Sequence, residues 1–246
     1  MKKFLAIILS VLMMMSVMPM AFAAEEPHKH AVGVDCSTTE NAQPFIPLTQ
    51  DSLSKASYNL LIGNYYLTED ITVPYTLAIR GLVNLCLNGY KITHTKEQVP
   101  AIDVQLGKLS VCDCKGTGEI CALESSSRGI GVRTGAELNF YGGSIKAADS
   151  GISVNEKAVA NVYGGKIYAG VGVSAQGTAN LYGGIIGTDN EATAVLGNGV
   201  INNTGATICD DMCHQSGFMG FIWMIVSFLY QLFGINPVCA CGKAHY

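Results

Sequence analysis

One short phrase returns three times between Ala136 and Ile208, and it restricts the fold more than anything else in the chain. It reads Leu138-Asn139-Phe140-Tyr141-Gly142-Gly143-Ser144-Ile145, then Ala160-Asn161-Val162-Tyr163-Gly164-Gly165-Lys166-Ile167, then Ala179-Asn180-Leu181-Tyr182-Gly183-Gly184-Ile185-Ile186. A worn copy, Ile201-Asn202-Asn203-Thr204-Gly205-Ala206-Thr207-Ile208, follows. The tyrosines are 22 and 19 residues apart, a loose period near twenty that marks a solenoid. A second phrase alternates with the first: Gly129-Ile130-Gly131-Val132, Gly151-Ile152-Ser153-Val154 and Gly170-Val171-Gly172-Val173.

Each repeat therefore holds short segments that alternate apolar or small residues with polar ones. That is the period of a strand, and no run of ten or more residues carries helical spacing. Proline is absent from 101 to 236, as stacked interior strands require, because each must donate its N–H to a neighbour. The expected fold is all-β, a right-handed parallel β-helix with small aliphatic side chains filling a narrow core. Closing isoleucines at 92, 120, 145, 167, 186 and 208 count about six coils. At ~4.8 Å per coil the rod would be roughly 25–30 Å long.

Composition agrees: only 14% of the 246 residues are charged, 49% are hydrophobic, and 28 are glycine, suiting a core of small side chains with many corners. The net charge of −4 and the lack of any Lys/Arg-rich run exclude nucleic acid as a partner. Residues 1–23 read as a secretory signal peptide: Lys2 and Lys3, an apolar run from Phe4 to Val17, then Ala21-Phe22-Ala23 as the cleavage site. The expected location is extracellular or at the cell surface. The remaining divisions are an N-cap segment at 24–57, the solenoid at 58–208 and a tail at 209–246.

Asn64-Tyr65-Tyr66-Leu67-Thr68, then Val83-Asn84-Leu85-Cys86-Leu87-Asn88-Gly89, then the Tyr-Gly-Gly phrases resemble secreted β-helix proteins of Gram-positive bacteria. The resemblance covers roughly 58–208 and implies the pectate-lyase-like superfamily fold. It implies no particular activity, since many such proteins have no known reaction. The tail is similar to C-terminal segments of other secreted Gram-positive proteins, in which Cys/His clusters bracket a hydrophobic helix.

Strand alternation places Leu138, Phe140 and Ile145 inward and Asn139 and Tyr141 outward. Tyr141, Tyr163 and Tyr182 should then form a column beside Asn139, Asn161 and Asn180. Such ladders stabilise a solenoid by stacking between coils. Rings flanked by amides also suit the apolar faces and hydroxyls of sugars. The expected function is non-catalytic binding of a glycan or cell-envelope partner. The alternative is a polysaccharide lyase or glycoside hydrolase with acids near Asp103 and Asp113, which would need clustered carboxylates.

Nine cysteines are available, an odd number. His28-Lys29-His30 with Cys36 could supply half of a metal site, and Cys86 in Leu85-Cys86-Leu87 reads as a small buried side chain. Cys209, Cys213, His214, Cys239, Cys241 and His245 are the densest set of ligand types, suited to zinc or to two disulfides. Between them, Gly217 to Ile235 carries no charge for nineteen residues. As a helix it would cover ~28 Å, enough to cross a bilayer, to lie on one, or to cap the rod.

Overall fold

The computed structural model describes residues 28–32, 36, 38, 40–188 and 193–209. They form a parallel β-solenoid of about seven turns. The count exceeds six because Ile71–Val73 pairs in register with Ile92-Thr93-His94 and adds a rung below the first closing isoleucine counted from sequence. The stretch 1–23, expected to be a signal peptide, and the 217–235 run lie outside the described residues.

Every coil visits three faces. On the isoleucine face, Ile71, Ile92, Ile120, Ile145, Ile167, Ile186 and Ile208 follow one another by direct register. On the second face the inward column runs Leu77, Ile102, Ile130, Ile152, Val173 and Val195. On the third, the asparagine face, Leu85, Val111, Phe140, Val162 and Leu181 align inward. Nearly all of these are sealed from solvent, Phe140 among the largest. Registered stacking is thus what makes the core: a slip by one residue would turn each apolar column outward.

The first rung is built differently. Ile46–Leu48 pairs with Tyr65-Tyr66-Leu67 on the asparagine face, within the segment expected to cap the rod. Where the next coils place an isoleucine strand, this coil has a short helix, Gln50–Lys55, capped by Thr49 and Ser52 and burying Leu53 at the rod's end. Gln50 also serves the strand beneath it: its Oε1 accepts the Thr72 N–H at 2.7 Å. An otherwise bare strand edge is covered in this way, which blocks pairing with another chain. Among the described residues no helix is long and apolar enough to cross a membrane.

The corner after each tyrosine needs its second glycine. Gly143, Gly165 and Gly184 all have φ between 81° and 88°, a left-handed conformation. A Cβ on Gly165 would also stand 2.6 Å from the Gly143 carbonyl oxygen. The Tyr-Gly-Gly phrase is therefore a stacking corner in which the third residue must be glycine.

Charges outside the isoleucine face tie coils together. Glu119 binds Lys91 at 2.8 Å on one side and Lys146 at 2.7 Å on the other. Burial alone would raise the Glu119 pKa, but the two ammonium groups outweigh it and hold the carboxyl below its usual range. The folded state thus gains from the ionised form at neutral pH and loses that gain as pH falls through the lowered pKa. Glu119→Gln should cost about 1 kcal/mol at pH 7, the lysines being half exposed. In urea titrations the difference from wild type should close in strong acid; a cost independent of pH would assign the loss to packing instead.

Candidate functional face

The asparagine face carries two outward columns, and both run through nearly the whole rod. The first is Asn64, Asn84, Ser110, Asn139, Asn161, Asn180 and Asn202. Adjacent amides lie 2.8–2.9 Å apart: Asn84 donates to Asn64, Asn180 to Asn161 and Asn202 to Asn180, and the Asn139 and Asn161 amides are in contact. Each link is worth about 0.5–1.5 kcal/mol net. Asn139 points out of the sheet as alternation requires, yet it is only 6% exposed, while Asn202 at the far end is open. Asn64 and Asn84 extend the ladder beyond the tyrosine phrases, with Ser110 standing in at one rung.

The second column begins with Pro47, Tyr66, Cys86 and Cys112. Phe140 pairs with Val111, so Tyr141 comes next, and Tyr163 and Tyr182 follow through N–H bonds to Phe140 and Val162 oxygens. One structural position is thus occupied by thiols in two middle coils and by phenols in the next three. The rings of Tyr141 and Tyr163 stack with centroids 4.7 Å apart and planes 6° apart; Tyr163 and Tyr182 follow at 4.9 Å and 16°. Ring planes lie across the rod, so Tyr163 and Tyr182 turn their edges rather than their faces to solvent. Tyr163 and Tyr182 are 42% and 47% exposed. Burial first, then the neighbouring Tyr163 and Glu137, raises the Tyr141 phenol pKa, so it stays a neutral donor.

Over the thiol half of the column folds a small antiparallel hairpin, Lys29–His30 against Gln43–Pro44. It leads directly into the first rung, which fixes it above this face. Phe45 packs on Cys86 and Cys112, and His28 stacks on Tyr66 at 4.4 Å. The hairpin thereby brings His28, His30 and Cys36 onto Cys86, Cys112 and Cys114. Sulfur separations are 3.8 Å for Cys36–Cys86 and 3.3 Å for Cys86–Cys114. His30 Nε2 lies 3.9 Å from Cys36 Sγ and 3.8 Å from Cys112 Sγ, and His28 Nε2 lies 3.6 Å from Cys114 Sγ. Two overlapping sets could hold a metal ion: His28, His30, Cys86 and Cys114, and His30, Cys36, Cys86 and Cys112. Thiol hydrogen bonds from Cys112, Cys114 and Cys36, against the effect of burial, pull the Cys86 pKa strongly down. Hydrogen bonds among the thiols and burial push Cys36 and Cys114 up.

Sequence reading found the histidines and Cys36 but not their partners. The clue was that Cys86 and Cys112 sit at the same point of two successive repeats, so they had to stack. Of the tail cluster only Cys209 falls within the described residues, buried at the end of Thr207–Cys209; Cys213, His214, Cys239, Cys241 and His245 lie outside them.

The acids proposed for catalysis are engaged elsewhere. Asp103, on the second face and 3% exposed, takes Arg133 Nε at 2.8 Å and Nη2 at 3.1 Å. Asp113, past the asparagine face, accepts the N–H groups of Gly89 and Gly118 at 2.7 and 2.6 Å. No protein-family model, curated protein or solved structure matches the chain.

Replacing Asn161 by Leu removes both links at the middle of the amide ladder and leaves its neighbours short of a partner. A loss of about 1–3 kcal/mol is expected by chemical denaturation. Asn202→Leu, at the open end, should cost clearly less; equal losses would show that the ladder is not cooperative with the fold.

Proposed function

We propose that this chain is an exported, non-catalytic β-solenoid of the β-helix kind that binds a glycan of the cell envelope along the tyrosine column. The observation that carries the reading is the registered stack of Tyr141, Tyr163 and Tyr182, three rings at one-coil spacing beside a file of amides. Their stacked faces are taken by one another, so the ligand lies across ring edges. It bonds to the hydroxyls, with Asn180 and Asn202 adding amide donors and acceptors. Asn180 spends one N–H on Asn161 and one acceptor site on Asn202, and Asn202 spends one N–H, which leaves each a second N–H and acceptor capacity for sugar hydroxyls. Export rests on the leading basic and apolar residues, and membrane contact on the 217–235 run, both read from sequence.

Against cleavage of the glycan stands the engagement of Asp103 by Arg133 and of Asp113 by backbone N–H groups, which suits structural roles. The decisive experiment separates binding from folding. Tyr141→Phe/Tyr163→Phe/Tyr182→Phe keeps the ring stack and removes only the hydroxyls. It should unfold at the wild-type temperature and lose tenfold or more in retention on a panel of bacterial envelope polysaccharides. Unchanged retention in that variant, or no retention of the wild-type protein on any polysaccharide, contradicts the reading.

A further inference from the structure

The hairpin over the thiol half of the column has very little to hold it. Its antiparallel pairing spans two residues per strand, and its apolar contribution is chiefly Phe45. Yet it delivers a buried imidazole, His30 at 2% exposure, whose Nε2 lies against the sulfurs of Cys36 and Cys112. The other ring nitrogen, Nδ1, is bonded to the Ala31 carbonyl oxygen at 2.8 Å, which fixes the tautomer and turns the Nε2 lone pair into the cluster. Metal-ligating histidines are held in this way, the far ring nitrogen donating to a carbonyl or carboxylate.

We propose that His30, Cys36, Cys86 and Cys112 bind one zinc ion, and that this ion clasps the N-terminal hairpin to the solenoid. Zinc held at ~2.3 Å by thiolates and ~2.0 Å by imidazole has ligand–ligand edges of roughly 3.5–3.8 Å. The Cys36–Cys86 separation of 3.8 Å equals the sulfur–sulfur edge before any ion is added, and the Cys36–His30 and Cys112–His30 separations of 3.9 and 3.8 Å lie within about 0.4 Å of the sulfur–nitrogen edge. Three sulfurs and one imidazole are a closed structural set, with no position for a reacting water. His30 offers one lone pair, so the two overlapping sets cannot both be completed, and the more buried one is the site. His28 and Cys114 flank it on the exposed side. Binding releases the thiol protons, since only thiolates ligate. Disulfides among the four cysteines would use the sulfurs but leave the buried His30 Nε2 facing no donor or acceptor of strength.

The ligands come from two directions, hairpin and rod, so metal loss should free the hairpin and leave the coils intact. The test uses the mature full-length chain, reduced, stripped of metal and titrated with zinc against a chromogenic chelator. Wild type should bind one equivalent more than Cys36→Ser or His30→Ala, both on the hairpin and outside the rod's core. Cys121→Ala, buried elsewhere, and Cys239→Ser/Cys241→Ser, in the tail, should keep that equivalent. Cobalt substitution should give thiolate charge-transfer absorption that is lost in the same two hairpin variants. Limited proteolysis should cut between 28 and 45 only after chelation, with the far-ultraviolet circular dichroism unchanged. Equal zinc uptake by wild type, Cys36→Ser and His30→Ala overturns the proposal, as does loss of two equivalents in either variant. Mass spectrometry finding Cys36, Cys86 or Cys112 in disulfides in the exported protein overturns it too.

Discussion

Everything in this molecule depends on backbone hydrogen bonds that run between coils, in register, along the rod. Each strand gives its N–H and C=O groups to the coils before and after it, so a residue's neighbours are set by its place in the repeat. The interior follows at once. Small aliphatic side chains at equivalent places pile into columns of isoleucine, leucine and valine, and the coil has no width for anything larger than an occasional Phe140. Corners follow too, since chains this closely stacked admit only glycine where Gly165 lies beneath the Gly143 carbonyl. The weak points are the ends. The short Gln50–Lys55 helix closes one of them, sealing Leu53 inside and covering the bare edge of Ile71–Val73 with the Gln50 side chain.

The same rule acts on the outside. An outward position repeated over several coils becomes a continuous stripe, and its chemistry is whatever residue occupies it. Asparagine gives a hydrogen-bonded amide file, tyrosine a ring stack, and cysteine a file of thiols. Lys91, Glu119 and Lys146 show how even ordinary charges become cross-coil ties when they share a face. Function on such a scaffold requires no pocket, only a column whose side chains are not all spent on one another. In the tyrosine half Tyr163 and Tyr182 stay exposed beside the amide file. In the cysteine half the hairpin completes the donor set.

Much of this was legible in the residues because it is periodic. The isoleucines, the Tyr-Gly-Gly corners and the inward placing of Leu138 and Phe140 follow from alternation and a repeat near twenty. What escaped was what breaks the period. Ile71 closes a coil that has Tyr66 at the tyrosine position but Leu67-Thr68 in place of the two glycines, so one turn went uncounted. Ser110 interrupts the asparagines and hid their continuity with Asn84 and Asn64. The thiol cluster was harder still. Cys86 and Cys112 stack by the repeat rule, but His28, His30 and Cys36 arrive through an antiparallel hairpin that obeys no repeat at all, and no local pattern encodes that return.

The central claim is that equivalent residues of successive coils stand above one another. Lys91 and Thr207 occupy the same column, joined rung by rung through Glu119, Ser144, Lys166 and Ile185. Spin labels carried there on non-natural residues, sparing the cysteines, measure the rise directly by pulsed dipolar spectroscopy. Five registered steps place the two backbones about 24 Å apart with a narrow distribution. A broad distribution, or a separation beyond about 35 Å, would mean that the coils do not stack in register, and the columns would go with them.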